Sequence, residues 1–390
     1  MQVIATIIMA CAMGSVSAVP LGLSTPEVEL GLKAKADNPK PVPSTMANAD
    51  LKLPTVQKAL PQRTVYQFTE KPSWIENLFV RENGDILMTM MWPKASLYLL
   101  KNPEADPAAK PTLLHTFDEA QGLLGITETA PDTFAVISSQ FSGLAAVVVG
   151  KSAVWEVQLQ DVANPQVRKV TDLPEGGFLN GMVKLQPWAC RSEKAKAAAE
   201  SKVVLISDSF NGAVWRVDTA TGKYEQAIKV PEMDPVKGAA LPFGVNGIKV
   251  MGDYLYWANS DLTTMYRLRI NMKTGAAREG ASVETLVKLE GTAFLDEFDV
   301  DEDGTIWGVT NADNKLIAMR PQDGSYAVAL GSATEMTLGG DTSARFGKGP
   351  DNKRMLYITT GGASVVPVNG TVSEPAKLVA VDTTGYLTSI

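Results

Sequence analysis

Histidine and cysteine are almost absent from this sequence: His115 is the only histidine, and Cys11 and Cys190 are the only cysteines. One imidazole cannot build a histidine dyad or a two-histidine metal site, and a Ser-His-Asp triad would have to use His115 itself. His115 stands in Leu113-Leu114-His115-Thr116-Phe117, an outer-strand context that suits a structural or surface residue. Two thiols are too few for a zinc-thiolate centre. Positive charge is in deficit as well, with 36 Lys and Arg against 43 Asp and Glu and a net charge of -7, so there is no basic footprint for nucleic acid. Beyond the N-terminus no apolar run reaches the roughly 20 residues that a membrane helix needs.

The N-terminus reads as a targeting segment. Val3 to Met13 is an apolar run of signal-peptide length, and Val16-Ser17-Ala18 offers a small-residue cleavage pattern, although the amino terminus is the only positive charge ahead of it. Residues 1–18 are therefore expected to direct entry to the secretory pathway, with the protein secreted or held in a vesicular or vacuolar compartment. Cleavage would remove Cys11, leaving Cys190 alone and no intrachain disulfide. Asn369-Gly370-Thr371 is a sequon, which makes Asn369 the expected glycosylation site. Residues 19–62 are rich in Pro, Ala and Lys and read as an arm.

What the chain does have is one pattern repeated. Phe294 to Asn311 alternates through Phe298 and Val300, turns at Asp303-Gly304 and returns through Ile306, Trp307 and Val309, a strong hairpin signal. Similar copies begin at Glu76, Leu124, Asn180, Asn246 and Ala344, the one at Asn180 interrupted between Gln186 and Ser201. Their spacing of about 50 residues is the period of a propeller or solenoid. A third strand follows each hairpin, as in Val154-Trp155-Glu156-Val157, and a fourth precedes some of the next copies, as in Val283 to Val287. Six copies predict an all-β six-bladed β-propeller with four antiparallel strands per blade over residues 63–390. The strand near Val65-Tyr66-Gln67-Phe68 is expected to complete the last blade.

Blade symmetry then concentrates chemistry. Glu76, Asn180, Asn246 and Asp296 head the first strand of their repeats, and rotation about one axis brings such positions together at one mouth of the central channel. Two carboxylates and two amides suit a hard cation such as Ca²⁺ or Mg²⁺. Such an ion could polarise a carbonyl or activate water, with a neighbouring carboxylate as base. Asn-Gly is equally ordinary turn chemistry.

The segments WIENLFVRENG, FLNGM, FGVNGIKV with YLYWANSD, LDEFDVDEDG, DTSARFG and VNGTVSEPAKLVAVD together resemble the fungal branch of the SMP-30/gluconolactonase/LRE-like six-bladed propellers, from Thr64 to Asp382. The resemblance implies Glu76, Asn180, Asn246 and Asp296 as ligands of Ca²⁺ or another divalent cation, no organic cofactor, and Asp296 as the base of a lactonase. It also shows a departure. Sugar-lactone hydrolases of the family carry an arginine near the residue matching Asn180, whereas Gly177, Phe178 and Leu179 stand here. Losing a five-donor guanidinium disfavours a sugar and favours a flat, apolar or aromatic small molecule. Trp74, Phe178, Phe243, Phe298 and Met88-Thr89-Met90-Met91-Trp92 are the candidate pocket residues.

The fungal branch includes hetero-Diels-Alderases of secondary metabolism, which join a tropolone or phenolic ortho-quinone methide to a sesquiterpene alkene such as a humulene alcohol. On that reading Asn77, Asn180, Asn246, Asp296 and Thr342 or Ser343 position oxygens. The alternatives are a divalent-metal-dependent lactonase or esterase and a noncatalytic binding propeller. The expected assembly is a monomer or homodimer.

Overall fold

A computed structural model describes residues 60–186, 201–239, 242–349 and 352–386. The expected signal peptide, nearly all of the expected arm, and Cys190 lie outside the described residues. Six sheets of four antiparallel strands make up the fold, each running from an innermost to an outermost strand. Blade 1 contains β2 (Trp74–Val80), β3 (Ile86–Trp92), β4 (Ser96–Leu100) and β5 (Thr112–Thr116). Blade 2 contains β6 (Gly122–Ala130), β7 (Thr133–Gly143), β8 (Ala146–Gln158) and β9 (Gln166–Leu173). Blade 3 contains β10 (Leu179–Lys184), β11 (Val203–Asp208), β12 (Ala213–Asp218) and β13 (Tyr224–Ile228). Blade 4 contains β14 (Val245–Met251), β15 (Tyr254–Asn259), β16 (Thr264–Arg269) and β17 (Glu284–Lys288). Blade 5 contains β18 (Phe298–Val300), β19 (Ile306–Val309), β20 (Lys315–Met319) and β21 (Tyr326–Gly331).

Blade 6 is assembled from both ends of the fold: β22 (Asp341–Phe346), β23 (Met355–Thr360) and β24 (Lys377–Asp382) are completed by β1 (Gln62–Gln67). The N-terminal strand thus closes the ring, as the run around Val65 predicts. His115 lies on β5, an outermost strand, with its ring edge-on to Phe117 at 4.7 Å.

The core sits between blades because each sheet is apolar on both faces. Leu87, Leu97, Phe134 and Val157 fill the gap between blades 1 and 2, while Leu205, Val214, Ile248 and Trp257 fill that between blades 3 and 4. Hydroxyls on the strands near the axis stitch neighbouring blades. Thr89 donates to the Leu124 carbonyl at 2.7 Å, Ser207 to that of Asn246 at 2.5 Å, and Thr342 to that of Ile75 at 2.7 Å. Each satisfies a backbone acceptor that would otherwise be buried unpaired.

Asn180-Gly181 and Asn246-Gly247 lie on the innermost strands β10 and β14, as their place at the head of each repeat predicts, and both strands slip register there, between Leu179 and Met182 and between Val245 and Ile248. The hairpin of blade 2 is far longer than Phe134–Ile137 and Val154–Val157 suggest, since β7 and β8 remain paired out to Gly143 and Ala146. Among the described residues no helix is long and apolar enough to cross a membrane.

Candidate active site

The register slips in β10 and β14 are β-bulges, which re-aim a side chain locally. Asn180 and Asn246 are buried, and their amide nitrogens donate to Ser209 Oγ at 3.3 Å and Ser260 Oγ at 3.0 Å. The other half of each amide is left over: Asn180 Oδ1 and Asn246 Oδ1 are buried with no hydrogen-bond partner. A buried acceptor without a donor is costly, so two at equivalent positions of adjacent blades point to something outside the chain that they serve.

Glu76 and Asp296 complete the set. Trp74 Nε1 donates to Glu76 Oε2 at 2.5 Å, and Asn311 Nδ2 donates to Asp296 Oδ2 at 2.9 Å. Burial pushes the Glu76 carboxyl up from the usual 4.5 to about 7, with the Trp74 hydrogen bond opposing and the nearby Glu297 charge adding to the rise. Asp296 is raised well above its ordinary value, first by burial and then by the charge of Glu76. Both carboxyls are thus buried and raised, Asp296 in part by the charge of Glu76 and Glu76 in part by that of Glu297. Among the described residues no three of His, Cys, Asp and Glu gather as a ligand cluster. The four oxygen-bearing groups expected at the mouth are instead half carboxylate and half amide, and the orphaned amide oxygens fit a hard, oxygen-seeking cation.

Asn77 is turned elsewhere. Its Nδ2 donates to Glu297 Oε1 at 3.3 Å, and its Oδ1 accepts from Ser343 Oγ at 3.2 Å. Ser343 and Thr342 are both spent on contacts between blades 6 and 1, Thr342 through the Ile75 carbonyl, and Thr342 also shares a hydrogen bond with Thr359 of its own blade. Sequence reasoning missed the centre of this lower layer. Glu297 Oε2 accepts from Lys249 Nζ at 3.1 Å and lies 3.6 Å from Arg345 Nη1. Burial favours a neutral Glu297, but Lys249 and Arg345 together hold its carboxyl below the ordinary range.

An aromatic cluster adjoins these polar residues, joined to them through Trp74, which belongs to it and donates to Glu76. Phe178 meets Phe243 at 4.9 Å between ring centroids, Phe210 at 5.5 Å and Phe141 at 6.1 Å, and Phe243 meets Phe294 at 5.7 Å. These rings share one apolar cluster with Trp74 and Met91 of blade 1 and Val365 of blade 6. Trp74, Phe178 and Phe243 are therefore brought together as the sequence suggests. Phe298 is not among them: it is fully buried between blades 4 and 5 with Met265 and Ile317, its ring beneath Lys249 Nζ at 4.9 Å. Met88 and Met90 pack between blades 6 and 1, leaving Met91 and Trp92 on the mouth side.

Phe141, Phe210 and Phe294 were missed. A signal for Phe294 was present, because an aromatic stands two residues ahead of the polar head in Trp74-Ile75-Glu76, Phe178-Leu179-Asn180 and Phe294-Leu295-Asp296. Phe141 carries no such mark, since it reaches the mouth only through the extended blade 2 hairpin. One surface depression lies on the outer strands of blade 3 beside Arg216 and Tyr224, and another lies on blade 2, lined by Trp155 and Lys169 together with Ser138 and Gln140 of β7.

No protein-family model matches the chain. It is 31% identical over 355 residues to a provisionally named hetero-Diels-Alderase, asR5, of Sarocladium schorii, covering 84% of each chain. A second provisionally named hetero-Diels-Alderase, from a Phoma species, is 27% identical over 338 residues, covering 79% of this chain and 88% of the relative. Among solved structures, the calcium-binding protein regucalcin of Agrobacterium tumefaciens superposes with a TM-score of 0.52 at 14% identity, over 83% of this chain and 95% of that one. A luciferin-regenerating enzyme superposes with a TM-score of 0.56 at 12% identity, over 84% and 96%. The structural likenesses show the shared six-bladed fold, and the sequence relationship places the molecule more narrowly: the chain belongs to the family of the proteins provisionally named hetero-Diels-Alderases.

Proposed function

We propose that the protein is a hetero-Diels-Alderase that joins a tropolone or phenolic ortho-quinone methide to a sesquiterpene alkene such as a humulene alcohol. The observation that carries this reading is an aromatic cluster of Phe141, Phe178, Phe210, Phe243 and Phe294, joined through Trp74 to the buried carboxyl of Glu76, beside the buried Asn180, Asn246 and Asp296. A flat heterodiene and an apolar alkene would stack among the rings, which supplies proximity and orientation. Excluding water protects a quinone methide from hydration. Asn180 and Asn246 also have amide N–H groups that could turn from their serine partners toward developing oxygen charge. The names of the two relatives support the same class of reaction.

One observation favours a second reading, a cation-dependent lactonase or esterase. The orphaned oxygens of Asn180 and Asn246, together with Glu76 and Asp296, would hold Ca²⁺ or another divalent cation, which would supply Lewis-acid polarisation of a substrate oxygen. In that reading Asp296 serves as base. The secretory routing and glycosylation of Asn369 remain part of the proposal; Asn369 is exposed in the turn Val368 to Thr371.

The two readings separate in one paired assay, with and without chelator. Purified protein is offered lactones, and separately a generated quinone methide with a humulene-type alkene. Stereoselective adduct formation above the spontaneous background supports the cycloaddition, and chelator-sensitive ring opening without it overturns that reading. Asp296→Asn is expected to abolish hydrolysis, since base and ligand charge go together, but to lower cycloaddition by no more than about tenfold.

A further inference from the structure

Four residue pairs face the channel: Glu76-Asn77, Asn180-Gly181, Asn246-Gly247 and Asp296-Glu297. The first member of each pair supplies an oxygen to the mouth. The second member of each converges on one carboxylate. Glu297 Oε1 accepts from Asn77 Nδ2 at 3.3 Å. A methyl group added at Gly181 would stand 2.7 Å from Glu297 Oε1, and one at Gly247 would stand 2.8 Å from Glu297 Cα and 3.0 Å from its Oε2. Neither glycine has a positive φ, so backbone conformation does not call for glycine at either place. Close approach does. Gly181 also lies against the Asn246 carbonyl, which the added methyl would meet at 2.8 Å, so the two inner strands and the carboxylate share one tight junction.

We infer that Glu297 is a positioning residue: its carboxylate, cradled by Asn77, Gly181 and Gly247 of three other blades and tied to Lys249 and Arg345, sets the spacing of the four oxygen-bearing side chains one residue above it. The inference rests on the mouth being the functional site. Glu297 is 1% exposed and reaches blade 4 through Lys249 at 3.1 Å and blade 6 through Arg345 at 3.6 Å. Blade 1 joins through Asn77, itself held by Ser343 of blade 6 at 3.2 Å. A single side chain from blade 5 thereby links five of the six blades at the axis. A glutamate reaches this point and an aspartate would fall short by one methylene.

Glu297→Gln is the test, because the amide keeps the shape and removes the charge that holds Lys249 and Arg345. Two measurements are made on the full protein: a crystal structure, and a titration with terbium(III) as luminescent cation probe. The expected result is a displaced set of Glu76, Asn180, Asn246 and Asp296 oxygens and a terbium affinity lower by about tenfold to a hundredfold, the range seen when residues behind metal ligands are changed. A variant whose site oxygens superpose on those of the wild type and whose terbium affinity is unchanged overturns the inference. Should the unpaired Lys249 ammonium prevent folding, the double variant Lys249→Met/Glu297→Gln removes it and leaves Arg345 on the carbonyls of Phe298 and Ala344, and an undisplaced site there overturns the inference equally. Wild-type protein that takes up no terbium counts against the cation reading, and the crystal comparison alone then decides the role of Glu297.

Discussion

Glu76 shows how a single buried carboxyl makes the protein sensitive to pH. Its folded pKa is raised from 4.5 to about 7 by burial, and Asp296 and Asp341 are raised by burial in the same direction. Between those two values the folded protein holds a proton that the unfolded chain has released. The stability contributed by Glu76 is therefore complete at the acid end of the window and disappears as pH rises through about 7. For one buried group a shift of this size is worth on the order of 3 kcal/mol. Lys249, lowered to about 8 by burial, titrates above most of the window and does not mask it. Protein kept in chelator is expected to melt at steadily lower temperature from about pH 5 to about pH 8. Calcium should flatten the decline by taking the place of the proton. Calorimetry across that range checks both statements, and a melting temperature independent of pH would contradict the first. Glu76→Gln should remove part of the slope.

At the scale of the element, most strands were legible because apolar alternation and Asp-Gly or Asn-Gly turns mark them directly, as from Phe298 to Val309. The lower layer of the site was not, because Glu297, Lys249 and Arg345 lie far apart in sequence and look like ordinary surface charges until the blades bring them together. The blade 2 hairpin was only half legible. Ser138 to Ser152 mixes serines and glycines with Leu144, Val147, Val148 and Val149, a composition that hides the pairing of Phe141 with Val147. In the fold Leu144, Ala145 and Val147 pack on the mouth cluster, while Val149 is 60% exposed. Replacing Ser142 to Ala146 by Asn-Gly keeps the Phe141–Val147 pair on a two-residue turn and removes Leu144 from the mouth. The expected outcome is a loss of about tenfold in kcat/KM for an apolar substrate, the worth of one displaced aliphatic contact, with melting little changed. Steady-state kinetics beside a thermal melt checks it, and unchanged kinetics would detach the hairpin from substrate binding.

For the whole molecule, stability depends on closing a ring rather than on any one interface. Every blade buries its faces only against its neighbours, so a gap at one place leaves two apolar faces without partners. The closure lies at β1, which pairs with β24 from Gln62 opposite Val381 to Gln67 opposite Lys377. Val65 adds its side chain to the cluster between blades 6 and 1, where Phe68 and Tyr98 also meet, at 5.2 Å between ring centroids. Upstream, Leu60 packs between blades 5 and 6 with Trp307 and Val381. Two truncations isolate this strand, one beginning at Leu60 and one beginning at Thr69. The first retains Leu60 and β1 and is expected to melt as the full chain does. The second exposes the full hydrogen-bonding edge of β24, and free edges of this kind pair with other chains. It is expected to lose on the order of 10 °C or more in melting temperature, to unfold over a broader range and to associate through the open edge. Calorimetry and size-exclusion chromatography measure these effects together. If the shorter chain stayed monomeric and melted with the longer one, ring closure by β1 could not be what holds the six blades as one unit.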